Sequence, residues 1–278
     1  MITEPWAGRI HPGEVLVSNG SGAAVTGVVL GILTVLTVGN FDGADSASGS
    51  ESTTASDSDA DSDTSSASGD GDGTGWGLDV PGVIRTTGRD GQTVALTFSS
   101  GPDPLYTPDI LDILDAHGVQ ATFCILGTQA EEHPQLVEQI AADGHVLCDH
   151  TMTYDYALAG RDDATIRAEI EGGLSAIRAA VPGASVPFFR APGGNFSAEL
   201  VDIAASFDQA SLGWNVDPRD WETPGAAAIR ASVVDAVQPG SIVVLHDEGP
   251  NRGGTVEALP GIIEDLTAEG YQFVTPVS

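Results

Sequence analysis

Residues 93–126 read TVALTFSSGPDPLYTPDILDILDAHGVQATFCIL, and this stretch decides the fold. Residues 93–98 are rich in β-branched and apolar side chains, which predicts a strand. Thr107-Pro108 then opens a helix that runs through His117 and stops at Gly118; proline suits the first helical turn and glycine the end. Ile110, Leu111, Ile113 and Leu114 supply its apolar face. Residues 120–126 predict a second strand, so the stretch is one strand–helix–strand unit.

The pattern continues outward. Pro134 opens a helix that ends before Gly144, and residues 145–148 predict a third strand. Residues 164–181 predict a long amphipathic helix, with Ile166, Ile170, Leu174 and Ile177 at helical spacing. Further strands are predicted at 186–189, 209–212, 241–245 and 271–274, and helices at 225–237 and 255–269. Repeated βα units of this kind build a parallel sheet, open or closed into a barrel.

Five short motifs fall at or just beyond the ends of predicted strands, where βα barrels carry their sites. They are Thr97-Phe98-Ser99-Ser100-Gly101-Pro102, His150-Thr151-Met152-Thr153-Tyr154, Arg190-Ala191-Pro192-Gly193-Gly194, Asp217-Pro218-Arg219-Asp220-Trp221 and Val244-Leu245-His246-Asp247. In this order they resemble the five motifs of the polysaccharide deacetylase family, the NodB homology domain, over residues 92–274. That family usually reads T-F-D-D-G-P in the first motif and H-[ST]-x-x-H in the second. Here Ser99 and Ser100 stand for the two aspartates and Tyr154 for the second histidine.

The resemblance implies a distorted (β/α) barrel of about seven parallel strands. It also implies a divalent metal, usually zinc, that polarises an acetamide carbonyl and activates a water, with an aspartate as base. By position, Ser99 replaces the base, Ser100 and Tyr154 replace metal ligands, and His150 is the ligand that remains. A hydroxyl is a poor ligand, and a phenol of pKa near 10 is a rare one. Asp103 and Asp155 are the acids near enough in sequence to be recruited instead. The other half of the site matches the family: His246 as general acid, Asp220 as its partner, and Arg190 as the residue that holds the base. Trp221, Val244 and Pro192 match its substrate-binding positions, Trp221 and Val244 forming the pocket for the acetyl methyl.

Losing a base costs about 10²–10⁴ in rate and losing a Lewis acid costs more, so the expected activity is weak or absent. The implied partner is an N-acetylated glycan such as peptidoglycan or a chitin-like oligosaccharide. A second reading is a non-catalytic, membrane-tethered carbohydrate-binding protein. A third is a metal-independent hydrolase with Ser99 or Ser100 as nucleophile, although the sequence sets no base beside either serine.

Composition bounds the partners and the compartment. The 278-residue chain has a net charge of -30, and all ten basic residues are arginine. Such a surface repels nucleic acid and anionic lipid heads. After a short N-terminal segment (residues 1–21), residues 22–39 (GAAVTGVVLGILTVLTVG) are apolar and close to the about 20 residues a membrane helix needs. Arg9 precedes this span and the next basic residue is Arg85, which favours a single-pass anchor with the C-terminal domain extracytoplasmic. A cleaved signal segment, and hence secretion, is the alternative. Residues 40–75 are almost entirely Ser, Asp, Gly, Thr and Ala, the composition of a disordered acidic linker. The folded domain is expected over residues 79–278. Its two cysteines, Cys124 and Cys148, fall in strands expected to be neighbours; a disulfide or two buried thiols both fit.

Overall fold

The computed structural model of the protein describes residues 80–277. Strands β1 (Val83–Ile84), β2 (Thr93–Ser99), β3 (Thr122–Ile125), β4 (Val146–Asp149), β5 (Phe188–Phe189), β6 (Ala210–Leu212), β7 (Ser241–His246) and β8 (Gln272–Phe273) form one sheet. Helices α1 (Thr107–His117), α2 (Gly127–Glu132), α3 (Pro134–Ala142), α4 (Asp163–Ala180), α5 (Ala198–Ala205), α6 (Ala226–Ala236) and α7 (Gly253–Ala268) accompany it. The strand order is β1-β6-β5-β4-β3-β2-β7, with β8 beside the start of β2, and every ladder is parallel.

The sheet curls until its edges meet, and irregular backbone makes the seam. Val216 bridges to Val243 and Thr86 to Ser241. The amide of Thr87 donates to Gly240 O at 2.9 Å, and that of Val244 to Val216 O at 3.0 Å. This is the distorted (β/α) barrel expected from the sequence.

Pleat parity then sorts each strand between two environments. On β2, Val94, Leu96 and Phe98 pack outward among the helices, in a cluster with Ile110, Leu114 and Ile140. Ala95 faces inward, in a small cluster with Phe188, Leu212, Trp214, Ile242 and Val244. Continuing the inward series by twos gives Thr97 and Ser99 on β2, and His246 on β7. The same step from Phe188 gives Arg190, and from Cys148 gives His150. The site residues are thus the last inward positions of their strands.

Local signals explain the helices. In α1, Pro108 sits in the first turn, and Gly118 takes a left-handed φ of 64° that returns its amide to Asp115 O and Leu114 O. In α4, the Asp162 carboxylate caps the helix by accepting from the Thr165 amide. Cys124 and Cys148 are direct partners across β3 and β4, 4.2 Å apart at Cα, and form a disulfide inside the barrel.

The differences from the sequence reading are short elements. β1, α2 and α5 were not anticipated, and β5 holds two residues where four were expected. The expected span at 22–39 and linker at 40–75 lie outside the described residues. Among the described residues no helix is long and apolar enough to cross a membrane.

Candidate active site

The C-terminal ends of the strands open into a cleft of about 510 Å³. Ser99, Ser100, His150, Tyr154, Arg190, Trp221, Val244 and His246 all line it, so most of the residues singled out in the sequence converge. Two do not line it. Asp220 lies buried behind His246 and pairs with it. Pro192 is buried in a 3-10 turn, and its neighbour Gly193 lines the cleft. The turn needs Gly193 at φ 61°, and this tips the chain so that proline packs inward.

The acid half is fully built. Asp220 Oδ1 lies 2.8 Å from His246 Nδ1, and Asp220 Oδ2 accepts from the His246 amide at 2.9 Å and from Thr255 Oγ1 at 2.8 Å. Burial pushes the Asp220 carboxyl up, but hydrogen bonds led by that of His246 prevail and hold it below its usual range. An ionised carboxylate only accepts, so His246 Nδ1 carries the proton it donates, and Nε2 is left for the cleft. Arg252 braces the pair by donating from Nη1 to Asp220 O at 3.2 Å. Neither Thr255 nor Arg252 belongs to a motif; only the return of α7 against the site reveals them.

The other half holds no carboxylate against Arg190. Ser99 Oγ accepts from Arg190 Nη1 at 2.9 Å. The remaining Arg190 bonds are Nη1 to Thr97 Oγ1 at 2.9 Å, Nε to Leu212 O at 3.1 Å and Nη2 to Gly213 O at 3.3 Å. Its guanidinium also stacks 5.3 Å from the Trp214 ring centroid. Ser100 is held at φ 78° by its amide bond to Cys124 O, a left-handed conformation costly for a residue with a Cβ.

His150 Nδ1 donates to Arg190 O at 2.8 Å. Burial lowers the His150 pKa to about 3, so the ring is neutral and its Nε2 is an acceptor. The Tyr154 ring meets it edge-on at 5.1 Å between centroids, and burial, the largest effect, pushes the phenol's pKa up.

These residues do not fit the metal that the family resemblance implies. One imidazole, one hydroxyl and one phenol that resists ionisation replace the usual acid and two histidines. Among the described residues no group of three or more His, Cys, Asp or Glu could hold a metal ion. The two nearby acids are occupied elsewhere. Asp103 Oδ1 accepts from the Leu105 amide at 2.7 Å, and Asp155 pairs with Arg161 Nε at 2.6 Å.

The rim is aromatic and acidic. Trp221 is 41 % exposed and Tyr156 64 % exposed, both against the cleft. Asp217 and Glu248 line it as well, and burial pushes both carboxyls up. Trp214 could have been found from the sequence, since it stands two residues beyond Leu212 on the inward series.

A βα barrel with a histidine–aspartate pair and a buried arginine at its strand ends defines a class of hydrolase-type domain, and comparison with known proteins supplies the family. The polysaccharide deacetylase family model matches residues 86–211. A chitooligosaccharide deacetylase of Sinorhizobium fredii is 39% identical over 205 residues, covering 70% of this chain and 94% of the relative. A peptidoglycan-N-acetylglucosamine deacetylase of Bacillus cereus is 38% identical over 184 residues, covering 66% and 85%. Among solved structures, a CE4 family pseudoenzyme from Bacillus anthracis superposes with a TM-score of 0.65 at 29% identity, covering 69% of this chain and 66% of that one. A mutant of that pseudoenzyme is described as having restored enzymatic activity. The present chain belongs to the polysaccharide deacetylase family.

Proposed function

We propose that this domain binds N-acetylated glycans of the chitooligosaccharide or peptidoglycan class in its cleft, and that its hydrolysis of the acetamide bond is weak or lost. The single observation that carries this is the contact between Ser99 and Arg190: a neutral hydroxyl stands where a proton-accepting carboxylate is needed. In the retained half, His246 Nε2 is placed to give a proton to a leaving amine, while Trp221 and Val244 border the space for an acetyl methyl. Ser99 cannot take up the proton of an attacking water near neutral pH, and the donors around Ser100 do not replace the missing Lewis acid.

The second reading, a tethered glycan-binding protein without catalysis, is favoured by the exposed Trp221 and Tyr156 beside the cleft. The disulfide agrees with an oxidising, extracytoplasmic location, with residues 22–39 as anchor or, alternatively, as a secretion signal.

The test is acetate release from N-acetylglucosamine oligomers with added zinc or cobalt, comparing the native chain with the triple variant Ser99→Asp, Ser100→Asp, Tyr154→His. The expected result is release by the variant at a rate at least about 10²-fold above the native chain. Equal rates for the two would overturn the assignment of Ser99, Ser100 and Tyr154.

A further inference from the structure

Arg190 is wholly buried, and among the described residues no carboxylate forms an ion pair with it. Its four hydrogen bonds all go to neutral oxygens. A buried charge is costly unless an opposite charge compensates it. A guanidinium is not deprotonated in proteins, so Arg190 carries its charge at neutral pH. Asp217 acts on it through its field without touching it. Among the described residues, the fixed positive charge at the floor of the cleft is therefore in contact with no carboxylate.

The cleft beside that charge holds further donors. Ser99 and Ser100 line the cleft, and each side chain ends in a hydroxyl that can donate to an anion. Trp214 and Val244 provide apolar wall next to them. Asp217 and Glu248 higher in the cleft oppose multiply charged anions, so a single carboxylate is the anion that fits.

We propose that Arg190, Ser99 and Ser100 form a binding site for one carboxylate group, reached through the cleft and filled either by a small free carboxylate or by the carboxylate of an acidic sugar. The acidic-sugar form rests on the reading of the cleft as a glycan site; the ion site rests on Arg190 and its neutral surroundings.

The experiment follows thermal unfolding and tryptophan fluorescence of the full chain during titration with acetate, with N-acetylmuramic acid, whose side chain carries a carboxylate, and with neutral N-acetylglucosamine. The expected result is saturable stabilisation by at least one of the two carboxylates. For the acid sugar, affinity should exceed that for N-acetylglucosamine by about tenfold or more. Ser99→Asp supplies the missing charge internally, so it should melt higher than the parent and lose the carboxylate response at least about tenfold. Ser99→Ala leaves the cation uncompensated and removes one donor, so it should weaken the response less than Ser99→Asp does, which separates gain of an internal charge from mere change at the position. A response to acetate alone assigns the free ion, and one to the acid sugar alone assigns the glycan. No saturable response to either, or an unchanged response in Ser99→Asp, overturns the proposal. Because binding is read and not acetate release, failure of the deacetylase assignment leaves this outcome distinct.

Discussion

At the scale of single residues, the domain separates charge from position. Arg190 keeps its place without a carboxylate partner because Thr97 Oγ1 and two strand-end carbonyls hold its guanidinium. Another buried group makes a measurable prediction. Asp247 accepts from Thr107 Oγ1 at 2.8 Å and from the Gly101 amide at 3.2 Å, yet burial outweighs these bonds and pushes its pKa up to about 7. In the unfolded chain the carboxyl titrates near 4, so between about pH 4 and 7 the folded form binds the extra proton. Stability then falls as pH rises through that window. Asp247→Asn removes the effect, and calorimetry should show the melting temperature of the parent falling relative to the variant from pH 4 to 7. Parallel curves would show that the carboxyl ionises freely in the fold. His150 has the opposite sign: held neutral down to about pH 3, it costs stability as pH falls below about 6.5. Most of the cleft was legible in the sequence because motif order carries chemistry. Motif order does not say which neighbour in the tight turn at Pro192 faces outward, and Arg252 and Thr255 were missed because only tertiary packing brings α7 to Asp220.

At the scale of elements, a strand's parity and a helix's close approach fix the site. α4 packs so near the second motif that a Cβ on Gly173 would lie 2.8 Å from the Thr151 carbonyl carbon and oxygen and collide with the Asp149 carboxylate. Backbone on that side cannot yield cheaply. Gly173→Ala should therefore destabilise the domain by about 1–3 kcal/mol and shift the loop carrying His150, read as a lowered denaturation midpoint. An unchanged midpoint would mean that helix and loop can separate. Elements with strong punctuation were legible: α1 has its Pro108 and Gly118, and α3 its Pro134. α2 spans six residues with no side-chain cap, and β1 and β5 two residues each, too short for any periodicity to register. α5 did carry a sign, since Ser197 caps it by accepting from the Leu200 amide.

At the scale of the whole molecule, the disulfide ties β3 to β4, the strand that leads into the second motif. Cys124 and Cys148 are 24 residues apart, and closing such a loop restrains the unfolded chain by roughly 3–3.5 kcal/mol. The Cys124→Ser, Cys148→Ser double variant should melt lower by about 10 °C, with no further drop on adding reductant. A parent whose melting is indifferent to reductant would contradict the bond. One consequence of the barrel reaches beyond its present chemistry. Ser99, Ser100 and Tyr154 line the cleft and none belongs to the hydrophobic clusters that hold the strands and helices together. On the proposed reading, a lineage carrying this chain could drift in and out of catalysis while its architecture stays intact, and the route back would be three codons long.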